Sequence, residues 1–415
     1  MSRKSIHLTL ISAVATLTLL MGGSVAWCVT YEVVHTFSGN GAAQPSSGLI
    51  VDTAGNAYGT LFQGGGFGGA GAVYQLSPTS GYHVIYVFHG HPDGRHPQGN
   101  LVLDSAGNLY GTTVNGGAKS CPNGFAGCGT VFELSPPTNG GAWTETLLYS
   151  FKGGKIDGAN PQAGVVFDSA GNLYGTTAYG ANQSCQGTGP GCGTVFELKP
   201  SQSGWIETVL YQFSGGGNPF GGLVLDASGN LYGTASTGGP RGGGTVFELS
   251  PASNGEWTYT LLYAFDASSG SEDGKSPQAG LIFDAAGELY GTTFYGGTGG
   301  GGTVFELTLG SNGWTESILH NFLGGNDGAA PEANLVFDAT GNLYGTTMGG
   351  GNFTGAGTVF KLTPGNGGQW TESLFRFKST DDGGAHPTTP VLLHGTAELF
   401  GTTNAVPGVV FRITE

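Results

Sequence analysis

A ten-residue phrase recurs along this 415-residue chain and constrains any fold it can adopt. It reads Asp104-Ser105-Ala106-Gly107-Asn108-Leu109-Tyr110-Gly111-Thr112-Thr113, and it returns at 168–177, 226–235, 284–293 and 338–347. Looser copies stand at 52–61 and 394–403. The aromatic of the phrase falls at Tyr58, Tyr110, Tyr174, Tyr232, Tyr290, Tyr344 and Phe400, giving spacings of 52, 64, 58, 58, 54 and 56 residues. A seven-fold repeat of this length overrides the two or three domains that length alone would suggest.

Each unit holds four short extended runs bounded by Gly, Pro, Asn or Asp. The first is like Gly-Leu-Val-Phe-Asp, the second is Leu-Tyr-Gly-Thr and the third is Gly-Thr-Val-Phe-Glu-Leu. The fourth opens on Trp143, Trp205, Trp257, Trp314 or Trp370 and closes on Phe151, Phe213, Phe265, Phe322 or Phe377. A single four-stranded sheet with apolar residues on both faces cannot bury both of them. Seven such sheets standing in a ring can, so the expected fold is all-β, a seven-bladed β-propeller of four-stranded antiparallel blades. The 82 Gly follow no collagen-like period and are assigned to turns and close approaches. The Gly of Tyr-Gly-Thr is expected to let neighbouring sheets approach, with Tyr and Trp filling the wider outer gap. The chain opens on a run of the fourth type, 31–37, and ends on one of the third type. The N-terminal strand is therefore expected to complete blade 7, which spans 390–413, and to close the ring.

The phrase Asp-x-x-Gly-Asn-Leu-Tyr-Gly-Thr-Thr, followed by Gly-Thr-Val-Phe-Glu-Leu, resembles the GloVer tandem repeat of secreted bacterial choice-of-anchor proteins. The resemblance covers nearly the whole chain after residue 26. It implies a propeller-like extracellular protein, supplies no catalytic residues, and is often accompanied by a C-terminal sorting anchor that is not found before Glu415.

Residues 1–26 read as a secretory signal peptide, with Arg3-Lys4 ahead of an apolar run from Leu8 to Met21 and small residues Ser24-Val25-Ala26 before the cut. That run is short for a membrane span, and the mature chain, 27–415, is expected to be one propeller, secreted or periplasmic. Bulky Trp27 argues against lipidation at Cys28. Cleavage leaves 11 basic against 28 acidic residues, a net charge of −17, which disfavours nucleic acid and anionic membranes. Cys121 with Cys128, and Cys185 with Cys192, each have six residues between them in equivalent loops and read as two disulfides in an exported protein. Zinc competes for these thiols, but no Cys-x-x-Cys pair or loop His supports it.

The Asp of the phrase is expected to accept N–H groups of its own turn, with Gly-Asn in left-handed positions. The repeated Thr and the Glu of Phe-Glu-Leu read as structural too, since catalysis would not be shared among all units. Candidate binding residues sit instead on the long loops after the fourth strands: His91, Asp93, His96, Asp157, Asn160, Asp273, Asp327, Asp382 and His386. The motif Asp-Gly-x-x-Pro at these places is read first as a turn leading to the next inner strand. The other reading is a carboxylate and amide ring suited to hydroxyl-rich ligands or a weak Ca²⁺ site. No metal or other cofactor is called for, and a monomer is expected. No nucleophile motif or phosphate-binding loop is present. The favoured function is non-catalytic binding of a glycan or a protein partner. Two alternatives stay open: a glycoside hydrolase or polysaccharide lyase using loop Asp and His, and a structural envelope protein.

Overall fold

The structure is a computed structural model. It describes residues 27–37, 43–65, 69–117, 120–122, 126–138, 140–181, 191–352, 354–378 and 384–415. The predicted leader, Cys185 and Asp382 lie outside the described residues.

Seven antiparallel four-stranded sheets form the blades of a propeller. Blade 1 runs Ile50–Val51, Ala57–Leu61, Ala72–Ser77 and Gly81–Val87, from the axis outward. Blades 2 to 6 repeat that order, and in blade 2 the segment Gly94–Pro97 also pairs with the end of Leu109–Gly116. Blade 7 takes Leu392–His394, Glu398–Thr403 and Val409–Thr414 from the C-terminal end, and Thr30–Thr36 from the N-terminal end. Thr30 pairs with Thr414 and Thr36 with Val409, so head and tail share one hydrogen-bonded ladder.

The aromatic residues explain how the blades pack. The Phe closing each fourth strand lies against the aromatic of the next blade's third strand. Phe88 meets Phe132, Phe151 meets Phe196, Phe213 meets Phe247 and Phe265 meets Phe305, with ring centroids 5.0, 5.1, 5.3 and 5.2 Å apart. Phe322 meets Phe360 and Phe377 meets Phe411, both at 5.2 Å. Phe37, contributed by the N-terminus, closes the circle on Tyr74 at 5.0 Å. Six of the seven pairs are edge-to-face and one is tilted, as the ring quadrupole favours.

The glycine expectation needs correcting. A Cβ on Gly111 would lie 2.7 Å from Phe132, on Gly175 2.6 Å from Phe196, and on Gly345 2.4 Å from Phe360. Each Gly is the cross-strand partner of that Phe. The Gly therefore makes room for the Phe of its own blade, and the Phe in turn meets the neighbouring blade.

Hydroxyls add a second link. The first Thr of Tyr-Gly-Thr-Thr donates to the backbone at the next blade's inner strand: Thr112 to Ala163 O (2.7 Å), Thr176 to Gly221 O (3.0 Å), Thr234 to Ala279 O (2.7 Å), Thr346 to Thr389 O (3.1 Å) and Thr402 to Ser47 O (3.2 Å). The second Thr bonds across its own blade, as Thr113 does with Thr130 at 2.7 Å.

The turn Asp behaves as expected. Asp104 Oδ1 accepts Ala106 N and Asn108 N, while Oδ2 accepts the Asn108 amide and the Tyr110 hydroxyl. Of Gly107 and Asn108, only Gly107 has positive φ, at 88°, so the left-handed position is single rather than double. In blade 7, His394 Nδ1 and Glu398 Oε2, 3.1 Å apart, stand where Asp and Asn stand in blades 1 to 4 and 6. Cys121 and Cys128 form the predicted disulfide. Cys192 is disulfide-bonded as well, but its predicted pairing with Cys185 falls outside the described residues. Cys28 is a free, exposed thiol. No helix among the described residues is long and apolar enough to cross a membrane.

Deleting residues 27–38 would remove both the closing strand and Phe37, exposing a sheet edge in blade 7. We predict a large fall in Tm and association detectable by light scattering. An unchanged Tm would contradict ring closure by this strand.

Candidate functional site

Each blade is entered through a Pro, and the next four residues carry the chain to the axis. The residue before the Pro is left-handed at six entries: His96, Asn160, Asn218, Ser276, Ala330 and His386 have φ between 54° and 58°. Backbone hydrogen bonds to the preceding blade hold this kink, for example Asn160 N to Cys128 O and Ala330 N to Gly301 O, both 2.7 Å. Side chains add to it where they can. Asn160 Nδ2 donates to Val114 O at 2.7 Å, His386 Nδ1 lies 2.9 Å from Met348 O, and His96 stacks on Phe62 with centroids 4.5 Å apart.

The kink aims the residue after the Pro into the axial channel. Ser46, Gln98, Gln162, Phe220, Gln278, Glu332 and Thr388, one from each blade, line a cavity of about 550 Å³. The next position is small because the backbones touch there. A Cβ on Gly99 would sit 2.2 Å from Gly164 N, and one on Gly221 2.4 Å from Ala279 O. Two further lining amides are spent on the wall: Asn100 accepts from Gly48 N and Asn334 from Gly280 N, both at 2.8 Å. The side chains of Gln98, Gln162, Gln278 and Glu332 form no hydrogen bond among the described residues, so their donors and acceptors face the channel. Phe220 and Phe62 give the lining two aromatic faces. Glu332 is the one carboxylate of the lining among the described residues, and burial raises its pKa to about 7. No Lys or Arg lines the cavity among the described residues.

The loop carboxylates singled out from sequence lie elsewhere. Asp93 accepts His89 N, Gly94 N and the Tyr86 hydroxyl. Asp157 accepts Lys152 N, Gly158 N and the Tyr149 hydroxyl. Asp273 accepts Asp266 N, Gly274 N and the Tyr263 hydroxyl. Asp327 accepts Leu323 N and Gly328 N and faces His320. His91 Nδ1 lies 2.7 Å from Gly117 O. None of these residues, nor His96, Asn160 or His386, lines the channel cavity. The channel ring itself escaped the sequence reading. Its signal was the residue after each recurring Pro, which is Gln three times and Glu once.

The loop Asp residues meet a second carboxylate across the blade boundary. Glu145, Glu207 and Glu316 each have a pKa raised to about 7, first by burial and then by the charge of Asp93, Asp157 or Asp273. Where an aromatic replaces that Glu, the boundary stacks instead: Tyr211 on Tyr259 at 4.4 Å, Phe375 on Tyr31 at 5.0 Å and His35 on Tyr82 at 4.2 Å.

Such carboxyls favour folding when protonated. Their contribution is complete below their ordinary value of 4.5 and is lost as pH rises through about 7. The turn Asp shifts the other way. At Asp338 burial pushes up, but hydrogen bonds from Asn342 and Thr340 outweigh it and bring the pKa to about 2. That contribution is present above 3.8 and is lost as pH falls through about 2. Stability should therefore peak near pH ~4–5 and decline towards pH ~8. The triple variant Glu145→Gln, Glu207→Gln, Glu316→Gln should flatten the decline in thermal melts. A wild-type Tm that climbs steadily from pH 5 to 8 would refute this.

A family described as the Gloeobacter/Verrucomicrobia repeat matches residues 24–188, 122–273 and 258–415. No functionally curated protein resembles the chain in sequence. Among solved structures, it resembles a putative 6-phosphogluconolactonase from Bacteroides uniformis, with a TM-score of 0.52 and 13% identity over 86% of this chain and 89% of that one. It also resembles the extracellular domain of a putative one-component system from B. thetaiotaomicron, with a TM-score of 0.52 and 10% identity over 92% of this chain and 39% of that one. Identities this low establish a shared fold alone.

Proposed function

The chain belongs to the Gloeobacter/Verrucomicrobia repeat family, and from that premise we propose that it is a secreted, non-catalytic propeller that receives a neutral, hydroxyl-rich ligand, a glycan, at its channel mouth. The observation that carries this reading is the unspent ring of Gln98, Gln162, Gln278 and Glu332 beside Phe220 and Phe62. A primary amide both donates and accepts, which matches the alternating donors and acceptors of sugar hydroxyls. An aromatic face suits the apolar C–H face of a sugar ring. Among the described residues the lining holds a single carboxylate, whereas two-carboxylate glycoside hydrolysis needs a pair flanking the bond. The absence of Lys and Arg from the described lining disfavours a phosphorylated ligand such as the lactonase neighbour's name implies.

Export rests on the predicted leader at 1–26 and is supported by the Cys121–Cys128 disulfide, which persists in oxidising compartments.

The test is a glycan array probed with mature protein, against the triple variant Gln98→Ala, Gln162→Ala, Gln278→Ala. These side chains are half-buried and make no structural hydrogen bond, so Tm should change little. Binding to a neutral glycan should weaken at least tenfold. Undiminished binding in the variant would move the site off the axis, and preferential binding of phosphorylated sugars would overturn the ligand class.

A further inference from the structure

The outer boundary between blades 5 and 6 differs from its counterparts in one residue. Three other boundaries place a Tyr hydroxyl against a loop Asp, with a Glu from the following blade beside them: Tyr86, Asp93 and Glu145; Tyr149, Asp157 and Glu207; Tyr263, Asp273 and Glu316. Between blades 5 and 6 the two carboxylates are kept as Asp327 and Glu372, but His320 replaces the Tyr. We propose that His320, Asp327 and Glu372 bind a divalent transition-metal ion of the zinc type, which ties blade 5 to blade 6.

The donors are already gathered. His320 Nε2 lies 3.1 Å from Glu372 Oε1 and 3.7 Å from Asp327 Oδ2. All three ligand atoms fall within 4.8 Å of one another, and this is the one such group among the described residues. Donors that each sit ~2.0–2.2 Å from a tetrahedral ion are separated by roughly 3.3–3.6 Å, a spacing these two distances bracket. His320 Nε2 and Glu372 Oε1 are buried and lie at ion-pair distance from one another.

The ligands are held by their surroundings. Leu323 N and Gly328 N, at 2.9 and 2.8 Å, fix the Asp327 carboxylate, and the His320 ring packs edge-on against Phe322 at 4.7 Å. The side chains keep 14–19% exposure, which leaves a route for the ion and a place for water as fourth ligand. One imidazole with two carboxylates suits Zn²⁺, Co²⁺ or Mn²⁺ better than Ca²⁺, which prefers six or more oxygens. A dication that displaces the ring proton would bind the free imidazole nitrogen and balance the two carboxylates. The phenol at the other three boundaries supplies no comparable nitrogen.

The experiment is calorimetric titration of EDTA-stripped mature protein carrying Cys28→Ser with ZnCl₂, with CoCl₂ absorption as a second readout. His320→Tyr restores the arrangement of the sister boundaries and is expected to fold; Glu372→Gln keeps the shape and removes a ligand charge. We expect one equivalent of Zn²⁺, a metal-dependent rise in Tm, and at least hundredfold weaker binding in either variant. Should the parent protein bind no Zn²⁺, the cluster is a simple ion pair and the proposal is wrong. Equal binding in parent and His320→Tyr, or in parent and Glu372→Gln if the first fails to fold, would also overturn it.

Discussion

The contact on which the rest of this protein depends is an aromatic pair repeated seven times around a circle. In each pair the Phe ending one blade's outer strand abuts the Phe, or once the Tyr, in the next blade's third strand. Both members are nearly or wholly buried. Each such pair contributes roughly 0.5–1.5 kcal/mol beyond the area it hides, and that area is itself large for a Phe. The pairs require a Gly opposite each third-strand aromatic, because a methyl group there would lie within 2.4–2.7 Å of the ring. The Tyr-Gly-Thr motif is thus a packing rule. Tyr ties the turn, Gly admits the aromatic, and Thr reaches the next blade.

That rule leaves function to positions the packing does not use. Asp, Thr and the loop carboxylates are engaged in turns and boundaries, so their recurrence reports architecture. The residue after each Pro is different. The kink before it and the small residue following it are fixed by contact, but its own side chain lines the axis, and of the seven only Ser46 among the described residues spends its polar group on the wall, donating to Pro97 O. The seven positions hold Ser, Gln, Gln, Phe, Gln, Glu and Thr. The ring symmetry thus provides a frame in which one position per blade can vary without touching the packing.

Much of the fold was legible because the repeat prints each strand several times. The four strand types, the ring of seven and the closure by 31–37 all followed from that repetition. The part played by Gly111 and its equivalents was not legible, because its partner Phe132 is distant in sequence and a register is needed to bring the two together. The candidate site was harder still. Asp-Gly-x-x-Pro drew attention through its charge, yet the charge is consumed by backbone N–H groups and Tyr hydroxyls within the loop. Gln98, Gln162 and Gln278 carry no charge and resemble ordinary loop residues. Only the geometry that follows the kink shows where they point. His320 was hidden in the same way, since its exceptional character appears only beside Tyr86, Tyr149 and Tyr263.

The aromatic circle can be tested by a double-mutant cycle on Phe265 and Phe305, using Phe265→Leu, Phe305→Leu and the double variant in denaturant unfolding. The account predicts that each single change is strongly destabilising and that the pair is coupled by about 0.5–1.5 kcal/mol. Losses that add with no coupling would show that the blades are held by burial alone, and would contradict the claim that specific ring pairs bind one blade to the next.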